Sequence, residues 1–252
     1  MVVLECRMWA YRDSTYGATH AEAVKSALEN ADPAVTAVWN KYQEKFKTSN
    51  ANYSGKDAFY SPSSDSVTLN IAKAAKGSGY QTPYQVLYHE YGHMTDYLAA
   101  RAFGYNGATA FTEVFNGLDA NGKALFASKG AGGLLGQAAK SDLKTLIKGV
   151  KKANGVTTKA EAARILINEI SQNYSLIARS DVSDMLEGAG IGVNYPLGVG
   201  HGKSYWKNRD NGKEIFAELL SAEAASPEFL ACIQKYFPET YKVFRDILEV
   251  IK

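Results

Sequence analysis

The sequence predicts an α+β fold that is mostly helical, with a small sheet ahead of one central helix. Three observations predict it. Long segments repeat apolar residues at helical spacing, and turn-forming residues separate them. Two short runs with strand character lie close together between residues 58 and 71. With 252 residues, of which 46% are hydrophobic and 21% charged, the chain can bury a full core, and we expect a single domain of residues 1–252.

The first eighty residues contain two predicted helices and two predicted strands. Thr19 is the expected cap of the first helix, and Asp32 followed by Pro33 is a favourable start for the second. A polar, turn-rich stretch separates these helices from the strands. The predicted ranges are 19–31 and 33–47 for the helices, 48–56 for the turn-rich stretch, and 58–60 and 66–71 for the strands.

The rest of the chain is predicted to be almost entirely helical. Thr158 and Glu161 form a capping-box pattern at the start of one helix. Glycine-rich segments at 129–136 and 188–202 predict a flexible joint and a movable loop. Residues 137–187 are interpreted as a helical insertion that forms a wall or lid of a cleft, with a partner-docking surface as the alternative. The predicted helices are 109–127 with an interruption near Gly117, 138–153, 158–187, 212–225, 227–236 and 239–251.

The run from His89 to His93, which reads His-Glu-Tyr-Gly-His, carries the strongest chemical signal in the chain. Residues four apart lie on one face of a helix, so both imidazoles can reach one metal ion. Glu90 then points to the open side of that metal, where it can take a proton from a bound water. This pattern is typical of zinc hydrolases. The alternative is a pair of ordinary histidines on an amphipathic helix.

The sequence around this motif favours a helix. Thr82 and Pro83 are suited to its first turn. Gly92 costs about 1 kcal/mol inside a helix relative to alanine. Its presence therefore predicts that another backbone or a substrate comes close there. An apolar stripe at helical spacing is expected to pack on the core, and it consists of Leu87, Tyr91, Met94 and Leu98.

Two histidines do not complete a catalytic zinc site, which needs three protein ligands and one open position. The chain has four histidines, and the other two, His20 and His201, do not follow the motif at a zinc-binding spacing. Cys6 and Cys232 are isolated in the sequence. We therefore expect a carboxylate as the third ligand.

The best candidate for that carboxylate lies in residues 212–220, where Glu214 and Glu218 are one helical turn apart. Like charges at this spacing repel each other mildly unless a cation is near. One glutamate can bind a metal while the other accepts a hydrogen bond from a ligand histidine. A solvated acidic face is the alternative, and the histidine motif upstream favours the metal site.

Three segments together resemble the catalytic domain of the anthrax lethal factor family. They run from His89 to Asp96, from Glu214 to Glu218 and from Lys235 to Phe244. The same segments are similar to the metallopeptidase-like domains of phage minor head proteins of the Mu gpF type. Both groups are gluzincins, in which two histidines and a glutamate bind zinc. The resemblance covers the motif helix and roughly the last fifty residues, but not the first fifty or much of the middle.

The resemblance implies a zincin-like metallopeptidase fold, with the small sheet beside the motif helix and the helical insertion within the chain. In such folds an edge strand lines the cleft and pairs with an extended peptide. Val67 to Ile71 is the expected edge strand, and a plain core hairpin is the alternative. The resemblance also implies that Zn²⁺ is the cofactor. The implied zinc ligands are His89, His93 and Glu214.

The remaining site residues are carried over in the same way. Glu90 would be the general base. Glu218 would accept a hydrogen bond from a ligand histidine. Asp96 would either stabilise the structure or hydrogen-bond to a ligand side chain. The family has an oxyanion-stabilising tyrosine seven residues before its glutamate ligand, and that position here is Lys207. We expect Tyr205 or His201 to take this catalytic role instead.

The spacing of the motifs also departs from the family. About 120 residues separate His93 from Glu214, which is much more than in the lethal factor family. This distance is the reason for interpreting the middle of the chain as an insertion. Pocket-forming segments of the family do not match here, so the resemblance implies no cleavage specificity.

These signals predict a zinc-dependent endopeptidase that acts on peptide or protein substrates, either phage-associated or used as a toxin or effector. The alternative is a catalytically inactive zinc-binding module with a structural or interaction role in a phage head protein. A formal charge of +2 gives no reason to expect nucleic acid. Oligomeric state has no signal in the sequence.

The sequence also carries no signal for a membrane or for secretion. No apolar run of 18 residues is present, so a transmembrane helix is not expected. Residues 1–10 are too short and too charged for a secretory signal. We expect a cytoplasmic protein, or one that is virion-associated or exported without an N-terminal signal peptide.

Overall fold

The structure, a computed structural model, describes residues 14–55, 57–128, 133–207 and 211–252. It is mostly helical with a small sheet, as predicted. The N-terminal segment 1–13, with Cys6, and residues 129–132 of the predicted joint lie outside the described part. The helices are α1 Ala18–Glu29, α2 Pro33–Tyr42, α3 Ile71–Lys76, α4 Gln85–Ala102, α5 Phe111–Val114, α6 Leu134–Asn154, α7 Lys159–Asn173, α8 Leu176–Gly188, α9 Asn211–Ala225, α10 Pro227–Tyr236 and α11 Pro238–Ile251. The strands are β1 Thr48–Asn50, β2 Phe59–Ser61, β3 Ser66–Thr68, β4 Phe115–Leu118 and β5 Ala124–Phe126.

Helix α1 forms close to its predicted range, whereas α2 ends at Tyr42, five residues before its predicted end, and a 3₁₀ turn over Gln43–Lys45 follows it. Asp32 caps α2 as predicted, because its Oδ1 accepts a 2.8 Å hydrogen bond from the Ala34 N–H. The cap expected at Thr19 is wrong. Helix α1 begins after Gly17, whose φ of 85° suits glycine, and Thr19 lies inside the helix.

Strands β1, β2 and β3 form a sheet in the order β1-β3-β2, with β1 parallel and β2 antiparallel to β3. The prediction that Val67 to Ile71 forms an edge strand is therefore wrong, since β3 is central. Strand β1 lies in the polar stretch 48–56, where backbone pairing with β3 overrides a turn-like composition. Strand β3 ends before Asn70, which caps α3 by accepting a 2.9 Å hydrogen bond from the Lys73 N–H.

The helix predicted over 109–127 is also wrong. One turn of helix, α5, leads into an antiparallel hairpin of β4 and β5. Gly117 has a φ of 104°, which a helix does not allow. Asp119 then closes the turn, because its Oδ1 accepts hydrogen bonds from the N–H groups of Asn121 and Lys123 at 2.8 and 2.9 Å.

The helix predicted over 158–187 is two helices, α7 and α8. Its start is confirmed, because the Glu161 N–H donates to Thr158 Oγ1 and the Thr158 N–H donates to Glu161 Oε2, both at 3.2 Å. The break follows from Ser175, which caps α8 by accepting a 3.1 Å hydrogen bond from the Ala178 N–H. The three C-terminal helices are confirmed to within one residue at each end.

The helices of segment 137–187 pack on the C-terminal helices, so this segment shares their core. Helix α6 lies against α11 and α7, and α8 lies against α10. Asp142 of α6 is buried and caps α11, because its Oδ2 accepts hydrogen bonds from the Thr240 N–H at 2.9 Å and the Thr240 hydroxyl at 2.7 Å. None of the helices in the described ranges is long and apolar enough to cross a membrane.

Helix α4 carries the histidine motif and packs against α9. It begins at Gln85, later than the predicted start at Thr82, because Tyr84 has a left-handed φ of 62°. A Cβ added to Gly92 would lie 2.8 Å from the Ala217 Cα of α9. This contact confirms that Gly92 admits another backbone. The predicted apolar stripe is buried and consists of Leu87, Tyr91, Met94 and Leu98.

We expect Gly92→Ala to lower the free energy of unfolding by about 1–3 kcal/mol, because the added methyl group overlaps α9. The matched control is Gly149→Ala in α6, where no atom lies within 4 Å of the added carbon. That control should stabilise the protein by about 0.5–1 kcal/mol through helix propensity. Urea unfolding followed by circular dichroism measures both, and equal stabilisation would contradict the close helix contact.

Candidate metal centre

Helices α4 and α9 bring together the three side chains predicted to bind the metal. His89 Nε2 and His93 Nε2 are 3.1 Å apart. Glu214 Oε2 lies 3.6 Å from His89 Nε2 and 3.2 Å from His93 Nε2. The three ligand atoms thus converge on one point, and the group could hold a metal ion.

The contact between the two helices lies at this cluster. Gly92 is adjacent to His93, and Ala217 lies between Glu214 and Glu218 in α9. Because the backbones touch there, the side chains beside the contact are held across a short gap. The close approach that Gly92 permits therefore determines the spacing of the candidate ligands.

The spacing fits a small metal ion with nitrogen and oxygen ligands. Tetrahedral zinc with bonds of about 2.0–2.1 Å places its ligand atoms about 3.3–3.4 Å apart. The three observed separations, 3.1, 3.2 and 3.6 Å, bracket that value. The donor set of two imidazoles and one carboxylate is also one that zinc accepts.

Glu218 takes a different position from Glu214. Its Oε2 lies 3.3 Å from His89 Nδ1, on the side of the ring away from the candidate metal position. A carboxylate there fixes the orientation of the imidazole and leaves Nε2 directed at the other candidate ligands. The geometry thus separates the two glutamates, which the spacing of the sequence alone did not.

The electrostatics of the cluster favour charged partners. Burial alone would lower the pKa of His89, but the charge of Glu218 and hydrogen bonds with Glu214 and Glu218 raise it well above its usual value. Burial alone would raise the pKa of Glu214, but His93 and His89 hold it well below the usual range. The repulsion between two glutamates one turn apart is thus compensated by positive charge.

Glu90 faces the cleft beside the sheet. Its Oε2 accepts a 2.7 Å hydrogen bond from the Tyr60 N–H of β2. Since β2 is an edge of the sheet, this bond crosses the free side of the strand. The strand next to the predicted base is therefore β2, in the place expected for Val67 to Ile71.

Tyr205 and His201 both lie at the cluster, and the structure brings both candidates for the oxyanion role together. The Tyr205 hydroxyl donates a hydrogen bond to Glu214 Oε1. The His201 ring stacks on Tyr205 with centroids 4.1 Å apart and an interplanar angle of 24°. His201 Nδ1 lies 3.0 Å from Asp184 Oδ2, which leaves Nε2 for another partner. Burial would lower the pKa of His201, but Asp184 raises it.

Asp96 has a structural role, which is one of the two roles predicted for it. Its Oδ1 accepts a 2.9 Å hydrogen bond from the Thr112 N–H, and its Oδ2 accepts a 2.6 Å bond from the Thr112 hydroxyl. These bonds anchor α5 to α4. Burial raises the pKa of Asp96 to about 7, against the lowering effect of the Thr112 bonds.

Helix α8 supplies site residues that sequence reasoning missed. Asp181 accepts a hydrogen bond from the Gln85 amide and lies beside Glu218. Burial and the Glu218 charge raise the Asp181 pKa well above its usual value. Asp184 binds His201, and Glu187 binds the loop that follows. The sequence did carry a signal for these residues. Acidic side chains recur every three residues at 181, 184 and 187, in a helix that precedes a glycine-rich loop.

A cleft of about 670 Å³ opens onto this cluster. His89 and Glu90 line it. One wall comes from Asp57, Ala58 and segment 69–82, and the other from α8 and residues 199–201. The expectation that segment 137–187 forms a wall of the cleft is therefore confirmed for α8.

No protein-family model matches this chain, and comparisons with curated proteins and with solved structures also find no match.

We expect purified wild-type protein to bind about one zinc ion per chain, since the three candidate ligands are already at suitable distances. Glu214→Ala should abolish this binding. Glu218→Ala removes only the support of His89, and should weaken binding by about 10–100-fold. Equilibrium dialysis against zinc with elemental analysis measures all three. An empty wild-type protein after zinc addition, or a Glu214→Ala variant that binds normally, would contradict the assignment.

Proposed function

We propose that this chain is a zinc-dependent endopeptidase with a zincin-like fold. The observation that carries the proposal is the tetrahedral spacing of His89, His93 and Glu214, with Glu90 beside them in an open cleft. Metal-assisted hydrolysis needs such a cluster together with a neighbouring carboxylate that is not itself a metal ligand.

The three candidate ligands and Glu90 would divide the chemistry between them. A zinc ion held by His89, His93 and Glu214 would lower the pKa of a bound water and polarise a substrate carbonyl. Glu90 takes a proton from the attacking water and transfers it to the leaving nitrogen of the peptide. Its bond to the Tyr60 N–H orients the carboxylate for this role. Glu218 keeps His89 in the orientation that ligation requires.

Tyr205 and His201 supply hydrogen bonds to the carbonyl oxygen as it becomes negative. The Tyr205 hydroxyl contacts Glu214, so it is within reach of a group bound next to that side chain. His201 is oriented by Asp184 through Nδ1, which leaves Nε2 to donate. Donors placed at a developing oxyanion stabilise the transition state, and the single Tyr205 O–H would turn from Glu214 to that oxygen.

The free edge of β2 offers an extended peptide the Tyr60 carbonyl group. This carbonyl points away from β3, on the same side as the Tyr60 N–H that donates to Glu90, because both groups of a strand residue lie on one side. A substrate whose N–H donates to this carbonyl would run past Glu90 and the ligand cluster. The cleft volume is in the range of sites that enclose several side chains.

We expect Glu90→Gln to bind zinc like the wild type and to lose peptide hydrolysis by a factor of about 10²–10⁴, because the amide cannot accept the proton. A proteome-derived peptide mixture read by mass spectrometry provides the assay, with zinc-loaded protein. Glu169→Gln, on α7 and away from the cleft, is the matched control and should retain activity. Equal turnover by Glu90→Gln would refute the mechanism, and zinc binding without any wild-type turnover would favour a binding module.

We expect Tyr205→Phe to lower kcat by about 10²–10³ with zinc retained, because one hydroxyl donor is removed. Tyr241→Phe is the control, since its hydroxyl also donates to a glutamate, Glu223, at 2.7 Å but away from the site. His201→Ala in the same assay separates the two donors. Full activity of both Tyr205→Phe and His201→Ala would exclude this pair from the oxyanion role.

A further inference from the structure

Residues 189–207, the described part of the segment that carries His201 and Tyr205, contain no helix or strand. The segment connects α8 to α9 and contains Gly198, Gly200 and Gly202, all with positive φ. Such a glycine-rich segment is expected to be poorly fixed by its own backbone. The two side chains nevertheless meet the candidate metal centre, so something outside the segment must hold it.

The C-terminal end of α8 supplies several bonds to this segment. The Ser183 hydroxyl donates to the Val199 carbonyl at 2.6 Å and accepts from the Leu197 N–H at 3.2 Å. Asp184 Oδ1 accepts from the His201 N–H at 2.8 Å. These bonds fix the backbone of the segment between Leu197 and His201.

Glu187 forms the most extensive of these attachments. Its Oε1 accepts a 2.6 Å hydrogen bond from the Tyr195 N–H. Its Oε2 accepts from the Gly202 N–H at 2.8 Å and from the Trp206 indole N–H at 3.1 Å. Gly202 and Trp206 stand on either side of Tyr205 in the chain. One carboxylate therefore closes a small ring of bonds around the residue whose hydroxyl contacts Glu214.

The packing around this carboxylate leaves little freedom. Glu187 is 6% exposed, and its charge is met by N–H donors of the segment. A Cβ on Gly200 would lie 2.9 Å from Asp184 Oδ1 and 3.3 Å from Glu187 Oε2. The Trp206 ring lies against Gly188, where an added Cβ would meet it at 3.0 Å. A buried carboxylate with several donors is costly to disrupt, because each lost partner leaves a desolvated charge.

We infer that Glu187 is a positioning residue for Tyr205: it holds segment 195–206 in place before substrate binds, so that the Tyr205 hydroxyl is directed at the candidate metal centre. The kinetic part of this inference rests on the proposed peptidase function. The conformational part does not, because it concerns only the bonds between α8 and the segment.

The main variant is Glu187→Gln, which keeps the shape of the side chain but replaces an acceptor oxygen with an amide that faces N–H donors. Glu223→Gln is the matched control, since its carboxylate accepts the Tyr241 hydroxyl away from the site. We expect Glu187→Gln to keep zinc, to lower kcat by about 10–100-fold and to change KM little, because Tyr205 is misplaced rather than removed. In the Tyr205→Phe background the same substitution should cost less than it does in the wild type, because only the placement of His201 is then left to lose.

A second pair of variants tests the same contact from the segment. Gly200→Ala and Gly198→Ala both place alanine at positive φ, but only the first meets Asp184 and Glu187, since nothing lies within 4 Å at Gly198. We expect Gly200→Ala to reproduce the kinetic loss of Glu187→Gln beyond the loss in Gly198→Ala. This pair keeps the inference testable if Glu187→Gln folds poorly.

Two readouts separate a failure of this inference from a failure of the proposed function. Protease nicking between residues 195 and 206, and tryptophan emission, both report release of the segment without any substrate. Faster nicking and red-shifted emission in Glu187→Gln, with Glu223→Gln unchanged, support the inference even if no peptide is hydrolysed. Unchanged nicking and emission overturn it, and so does a kcat loss that is fully additive with Tyr205→Phe.

Discussion

The close contact of α4 with α9 is the constraint on which the rest of the site depends. A side chain at position 92 would collide with the Ala217 backbone, so glycine permits the two helices to approach. The candidate ligands on either helix flank this contact and meet across a gap of 3.1–3.6 Å. A modest loss in helix propensity at Gly92 is offset by the precise juxtaposition of two buried faces.

Burial makes the site a balance of opposite charges. Glu214 and Glu218 lie one turn apart along α9. Burial would raise the pKa of Glu214, but His93 and His89 of α4 hold it well below its usual range. Asp181 adds a further carboxyl group behind Glu218, with its pKa raised by burial and by that neighbour. The site therefore extends beyond the ligands through a chain of hydrogen bonds into α8.

Segment 137–187 contacts both the C-terminal helices and the loop before α9. Helix α6 caps α11 through Asp142, and α8 forms a cleft wall and fixes the loop before α9. The long separation of His93 from Glu214 in sequence was the reason for interpreting this segment as an insertion. Its contacts make it part of the site, because Tyr205 reaches Glu214 only while α8 holds the intervening loop.

Helical periodicity and the four-residue spacing of His89 and His93 are local properties of a chain, so they were enough to predict the helical character, the C-terminal helices and these two candidate ligands. Local patterns could not determine that β3 is a central strand or which of the two glutamates lies behind His89, since strand order and side-chain direction depend on partners distant in sequence. The hairpin at β4 and β5 was missed because two glycines with positive φ, Gly117 and Gly122, outweighed an otherwise helical pattern. The carboxylates of α8 acquired their roles only in the tertiary structure, where burial leaves each of them to be satisfied by specific N–H donors.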